Sequence, residues 1–315
     1  MPIGQLPSPA PYTLRQLECF VSVADAGTIS AAAAALHSSD SAVSEAVTAL
    51  EKALGTTLIR RQRARGVTLT SDGLAVLPVA RRLLMQAEEV VAVVGHGGTS
   101  LAGVVRVGAT VTLAPVVLAK LMVEVERMHP GISLELSVAD QPRLLEMLAD
   151  GNLDLLIGFD IDVPPELERE ALYSTVASVV LPASHPLASR RQVRLIELAE
   201  EPMVLLDIAP SRVHTLELMS MTGITPRIAF RTDNYELCRS LVGRGQGYTL
   251  LMWRNIARET WDGGEVVFLP IHPAPRDVSV LVLWRHEHLS ARVAAVVDSL
   301  RALAASLVGE SSYTR

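Results

Sequence analysis

Along residues 12–54 the apolar side chains return every three or four positions in three short runs, each closed by a turn residue. Leu14, Leu17, Phe20, Val21 and Ala24 have the spacing of one helix face, and Gly27 ends that helix. The alanine-rich run Ser30 to Leu36 predicts a second helix, with small side chains that permit close packing and with Thr28 or Ser30 as its cap. After a turn at His37, Ser38 and Ser39, a third helix is predicted over 40–54, stopped by Gly55. Its two faces differ: Val43, Ala46, Val47, Leu50 and Leu54 point one way, and Ser41, Ser44, Glu45 and Thr48 the other. A flat polar face of this kind suits either bulk water or a DNA major groove, where base edges offer hydrogen bonds.

Past residue 58 the pattern changes. Arg60, Arg61, Arg63 and Arg65 precede Gly66, and residues 67–70 alternate as a strand does, which predicts a basic β-hairpin. Guanidinium groups on such a loop can reach phosphates or enter a minor groove. Residues 71–94 read as one longer helix with Leu74, Leu77, Leu84, Ala87, Val91 and Val94 along it and Pro78 near its first turns. With no core of its own in view, that stripe predicts pairing with a second copy of the chain. The Gly-, Ser- and Thr-rich stretch 95–103 reads as a hinge.

From residue 104 to about 308 strands alternate with helices. Strands at 104–108, 132–138 and 153–159 are separated by helices at 113–129 and 143–150, a βαβαβ unit that implies a parallel sheet. Further strands are expected near 175–181, 203–206, 228–232, 248–252, 266–269 and 278–284, with helices at 235–243 and 290–307.

Composition narrows the function. The 315 residues, 49% hydrophobic and 20% charged, are those of a globular chain with two or three compact units. Aromatic residues make up 4%, which leaves few platforms for stacking single-stranded nucleic acid. The net charge of −6 excludes a general electrostatic grip on nucleic acid, so any DNA-binding charge is local to the arginine hairpin. Cys19 and Cys238 both lie in apolar helical patterns and read as buried thiols, with neither a disulfide framework nor a zinc cluster. The first residues lack the basic-then-apolar order of a secretory signal, and no apolar run reaches membrane-spanning length, so a cytoplasmic protein without membrane contact is expected.

The residues of the first quarter carry a specific resemblance. Leu14-Arg15-x-Leu17, Ala32-Ala33-x-x-Leu36-His37, Ser41-Ala42-Val43-Ser44, Leu50-Glu51-x-x-Leu54-Gly55, the arginine hairpin and Leu69-Thr70-x-x-Gly73 follow in the order of LysR-type transcriptional regulators. "VRVGATVTLAP", "MHPGISLEL", "LLEMLADGNLDLLIG", "SHPLA" and "LVGRGQGYTLL" resemble the effector half of the same family more loosely. The resemblance implies an all-α winged helix-turn-helix over 12–70, a dimerisation helix over 71–94 and an α/β effector domain over 104–308. That domain is similar to two-lobed periplasmic binding proteins, with lobe I at about 104–160 and 270–308 and lobe II at about 163–265. Crossovers between lobes are then expected at 160–163 and 265–270.

Implied partners are duplex DNA, a small-molecule effector, a second or further copies of the chain, and the transcription machinery; no cofactor, metal or membrane is implied. Ser30, Ser39, Asp40, Ser41, Ser44, Glu45, Thr48, Arg61, Arg63 and Arg65 are the expected DNA-facing residues. The chain departs from the family pattern at Asp40 and Ser41, where Gln and Pro are usual, and at Glu45, where a basic or amide side chain is usual. Asp40 either approaches DNA or caps the third helix; Glu45 either accepts from cytosine N4 or avoids the bases.

Effector contacts are expected where strands end and helices begin. Thr110 and Thr112 there either cap the next helix and also bind a ligand carboxylate, or cap it alone, and Asp207, Ser211, Thr232, Asp233 and Asn234 are expected from the second lobe. Gly243 to Gly247 follows a helix and precedes a strand, the reverse of a phosphate-binding loop. His286 and His288 lack the partners of a metal site. A solute-binding protein would share the two-lobed half but predicts a secretory signal and no arginine hairpin. An enzyme predicts a catalytic constellation, and the sequence shows no such motif.

Overall fold

The computed structural model describes residues 10–62, 66–95, 101–252, 258–286 and 289–311. Two compact units make up the chain, one of residues 1–100 with 149–152 and the other of residues 101–148 with 153–315. The first contains α1 (Leu14–Ala26), α2 (Ile29–Ala35), α3 (Asp40–Leu54), the hairpin of β1 (Ile59–Gln62) and β2 (Gly66–Leu69), and α4 (Ser71–Gly95). Each of α1, α2 and α3 begins at a hydroxyl that accepts a backbone N–H: Thr13 from Gln16, Thr28 from Ala31 and Ser39 from Ala42. Such caps contribute about 1 kcal/mol each.

The cap of α3 is thus Ser39, which corrects the expectation for Asp40. Ser39 has the extended backbone a cap requires, whereas Asp40 is already inside the first turn. There its carboxylate favours the positive helix end and accepts the hydroxyl of Ser30. Gly27 and Gly55 end α1 and α3 in the left-handed conformation.

Phe20, Val43, Val47 and Leu50 are fully buried at the centre of this unit. The expectation that α4 has no core of its own is overturned. Ala80 is buried in the same cluster, Val76, Leu77, Leu83 and Leu84 pack against it, and Arg81 pairs with Asp25 of α1. The first half of α4 therefore completes the winged helix, and among its described side chains the large apolar ones left exposed are Leu74, Val79 and Val90. Pro78 lies inside the helix without ending it.

The second unit opens with β3 (Gly103–Thr110), α5 (Ala114–Met128), β4 (Ile132–Ala139), α6 (Gln141–Ala149) and β5 (Leu155–Phe159). β3 lies between β4 and β5 and is parallel to both, as the βαβαβ pattern implies. Next come β6 (Leu167–Thr175), β7 (Ser178–Pro182), β8 (Pro202–Leu206), α7 (Ser211–Met221), β9 (Arg227–Thr232) and α8 (Tyr235–Gly243). The chain closes with β10 (Thr249–Leu251), β11 (Val266–Pro270), β12 (Val278–Arg285) and α9 (Ala291–Ser311).

One sheet has the order β4-β3-β5-β12-β6, with β12 antiparallel to its neighbours β5 and β6. α5 and α9 cover one face through Val117, Leu121, Val296 and Leu300; α6 covers the other through Leu144 and Leu148. All five residues of β5 are buried between these layers, which is why its sequence is a continuous apolar run. The second lobe holds an antiparallel sheet β10-β7-β11 and a parallel pair β8-β9, joined by a bridge between Met203 and Tyr248.

Two elements escape the sequence pattern. β6 is an edge strand of the first sheet, so the chain leaves that sheet at residues 176–177 instead of 160–163, and returns through 271–277 instead of 265–270. Glu168, Arg169 and Glu170 make β6 too polar to read as a strand. Charge on an edge strand blocks pairing with other chains, and Glu170 is held by Arg301 of α9 at 2.8 Å. The other is α7, whose Arg212, His214 and Glu217 interrupt its apolar spacing.

Candidate DNA-binding surface and effector site

The turn between α2 and α3 is short because His37 takes a positive φ of 50° and the N–H of Ser38 returns to the carbonyl of Ala33 at 2.9 Å. This places Ser30, at the start of α2, against Asp40, at the start of α3. Ser39 and Ser41 hydroxyls lie 3.0 Å apart, and Thr48 donates to the carbonyl of Ser44 at 2.9 Å. Ser30, Ser39, Asp40, Ser41, Glu45 and Thr48 are all exposed and Ser44 is half-buried. These side chains form one polar surface.

The hairpin joins that surface. Arg61, opposite Val67 in the β1–β2 register, reaches the hydroxyl of Thr48 at 3.4 Å. Two contacts hold the hairpin in place. Glu51 of α3 accepts the N–H groups of Leu58 and Ile59, and the N–H of Val67 donates to the carbonyl of Gly27 at 2.7 Å. Gly66 is required at the second contact, since its φ is 80° and a Cβ there would sit 2.5 Å from the Gly27 carbonyl oxygen. Arg63 and Arg65 lie outside the described residues. Glu51 was missed by sequence reasoning, because its partners lie in a loop whose path is not a local property.

In the second unit, Thr110 ends β3 and is 3% exposed, and its hydroxyl has no hydrogen-bond partner among the described residues. The cap position of α5 is Leu113, with no side-chain cap bond, so neither Thr110 nor Thr112 caps that helix. An unmet buried hydroxyl costs about 1–3 kcal/mol, so Thr110 is poised for a partner that the described residues do not supply. Nearby, Gln141 at the start of α6 closes the end of β5, donating to the carbonyls of Phe159 and Ile161 at 2.9 and 2.7 Å and accepting from Phe159.

The remaining candidates gather at the C-terminal end of the parallel pair β8–β9. The N–H of Asp207 donates to the carbonyl of Thr232 at 2.8 Å; Thr232 accepts from the N–H of Asn234; and Asn234 caps α8 by accepting from Leu237. Ser211, buried, begins α7, and Asp233 is exposed beside Asn234. Asp207 is not free to meet a ligand cation. Arg212 holds it at 2.8 Å and Arg231 at 3.3 Å, and the hydrogen bond from Arg212 keeps its carboxyl below the usual range. Two guanidinium groups thus share this one carboxylate. Neither arginine was singled out from sequence, although Arg212 stands five residues after Asp207.

Elsewhere, Gly243 to Gly247 forms the turn out of α8, and the side chain of His286 pairs with Glu168; His288 lies outside the described residues. Among the described residues no single helix is long and apolar enough to cross a membrane.

A winged helix-turn-helix followed by a two-lobed α/β domain defines a ligand-responsive DNA-binding protein, and comparison with known proteins gives the family. The model for the LysR substrate binding domain matches residues 98–305, and that for bacterial regulatory helix-turn-helix proteins of the lysR family matches residues 14–74. The chain belongs to the LysR family of transcriptional regulators, with an N-terminal domain that binds DNA and a C-terminal domain that binds a small-molecule effector. It is 32% identical over 244 residues to a probable hydrogen peroxide-inducible genes activator of Mycobacterium avium, covering 76% of this chain and 77% of that protein. HinK, a LysR family regulator from Pseudomonas aeruginosa, has a crystal structure similar at a TM-score of 0.62 and 31% identity, over 92% of this chain and 98% of that one. The C-terminal domain of a probable LysR family regulator from Rhodococcus sp. RHA1 is 39% identical with a TM-score of 0.62, over 64% of this chain and 99% of that one.

Proposed function

We propose that the surface of Ser30, Ser39, Asp40, Ser41, Ser44, Glu45, Thr48 and Arg61, extended by Arg63 and Arg65, contacts operator DNA, and that a small organic anion bound at the strand ends of the second unit controls it. The observation that carries the effector half is the unmet hydroxyl of Thr110 at the C-terminal end of a parallel strand, where ligands collect in open α/β sheets. Thr112 contributes from the same lobe. Arg212 and Arg231 supply the positive charge of the other, with Thr232, Asp233, Asn234 and Ser211 around them and Asp207 orienting the two guanidinium groups. Self-association runs along the face of α4 that carries Val79 and Val90, which places two recognition helices on the half-sites of an imperfect palindrome. The chain acts as a regulator, not a catalyst, in the cytoplasm where its DNA lies, and signals to the transcription machinery.

The relative named for hydrogen peroxide induction suggests a second reading, in which a thiol is oxidised. The cysteines argue against it. Cys238 is fully buried, and desolvation pushes its thiol up to about 11; burial also raises Cys19. Thiolate, the reactive form, is about one part in 10⁴ at neutral pH for such a group.

The test is a thermal-shift screen of the full chain against small carboxylates and phosphates, followed by DNA affinity with and without each hit. A true effector at 100 times its Kd adds about 2.7 kcal/mol of stability. It also changes DNA affinity. Hits that stabilise without changing DNA binding would count against the control role.

A further inference from the structure

A helix turns about 100° per residue, and this places Glu45 about 170° around α3 from the centre of the buried stripe Val43, Val47 and Leu50. It projects directly away from the domain core, in the second turn, where recognition helices present side chains to bases. Its neighbours on this face are engaged within the protein. Ser30 donates to Asp40, Ser39 caps the helix, and Thr48 both donates to Ser44 and accepts from Arg61. Glu45 is exposed and, among the described residues, makes no hydrogen bond or ion pair.

A carboxylate only accepts hydrogen bonds, and near phosphates it is repelled. At the centre of a DNA-facing surface it is tolerated where the base edge supplies a donor. In the major groove guanine offers the acceptors N7 and O6, and thymine offers an acceptor and a methyl group. Adenine sets its N6 donor beside the acceptor N7, whereas cytosine shows its N4 amine alone. We propose that Glu45 determines operator specificity by selecting cytosine at one position of each half-site. Its carboxylate accepts from cytosine N4, and its charge penalises other bases and random sequence. This assignment rests on α3 being the recognition helix. It links discrimination to a repulsive element as well as an attractive one.

Selection from a randomised duplex pool with the full chain, and with Glu45→Ala and Glu45→Gln, tests the proposal, with affinities for selected and random duplex measured at one salt concentration. The parent recovers cytosine at one position per half-site, and another base there weakens binding about tenfold. Glu45→Ala loses that preference alone, retains the others and binds random duplex more tightly. Glu45→Gln moves the preference to adenine, whose N6 and N7 an amide can bracket. Retention of the cytosine preference by Glu45→Ala overturns the proposal. So does a change in overall affinity with no change at any single position, which marks Glu45 as a repulsive group or a partner of the hairpin arginines. A parent that selects no sequence overturns the recognition role of α3 itself, a different failure from the first two.

Discussion

The carboxylate of Glu51, in the last turn of α3, accepts the backbone N–H of Leu58 at 2.7 Å, and the same oxygen takes the N–H of Ile59 at 3.0 Å. One side chain thereby ties α3 to the first strand of the basic hairpin. Arg61 and Thr48 meet because their two elements share this anchor. Replacing Glu51 by Ala strands two amide groups that are partly buried, at about 1–3 kcal/mol. Hydrogen exchange at Leu58 and Ile59 should accelerate, and DNA affinity should fall. Glu51→Gln keeps an acceptor oxygen and should lose less on both measures. Unaltered exchange in Glu51→Ala would show the hairpin to be held by its core packing and its contact with Gly27.

The packing of α4 separates two of its apolar positions, Leu84 of the sequence stripe and Val90 outside it. Leu84 packs against the winged-helix core, whereas Val90 is 66% exposed. Val90→Glu should yield monomers in sedimentation, with the helix content of the parent. Leu84→Glu should instead destabilise the N-terminal unit, by about 1–3 kcal/mol in urea titration. A Val90→Glu protein that remains dimeric would place the interface on another surface.

Thr110→Val keeps the shape of the side chain and removes a hydroxyl that has no partner among the described residues. Stability without ligand should be unchanged or slightly raised, since a buried polar group is removed. DNA binding without ligand should match the parent. The thermal shift produced by the effector should shrink, and with it the change in DNA affinity, by roughly tenfold in effector concentration for one lost hydrogen bond to a charged group. An unshifted response would leave Thr110 outside the ligand site.

Cys238 donates to the hydroxyl of Thr249 at 3.4 Å within a closed apolar cluster. Because its titration lies far above neutral pH, treatment of the native protein with hydrogen peroxide should leave this thiol reduced and DNA affinity unchanged. Mass spectrometry after alkylation checks the first outcome and DNA titration the second. Oxidation at Cys238 with altered DNA binding would restore the thiol-sensing reading.

Most of the architecture was legible in the amino-acid order. Helix spacing and stop residues located α1 to α4, and α8 was placed at its observed limits, because local periodicity and capping act over a few residues. The polar face of α3 was legible for the same reason: one turn of helix sets which side chains share a face. β6 and α7 were not, since charged residues interrupt their patterns and they are stabilised by partners far away in the chain, such as Arg301 for Glu170.

By itself the sequence determined the order of elements, the polar face of α3, the arginine hairpin and the family, all consequences of short-range spacing. Only the tertiary structure decided which polar groups are spent and which are free. Asp207 is occupied by Arg212 and by Arg231, the latter 24 positions away; Thr110 is buried with its hydroxyl unmet; and Leu84 faces inward while Val90 faces out. The reason is physical. Hydrogen bonding and burial depend on distances between residues that sheet register and helix packing bring together, and those distances are not properties of neighbouring positions in the chain.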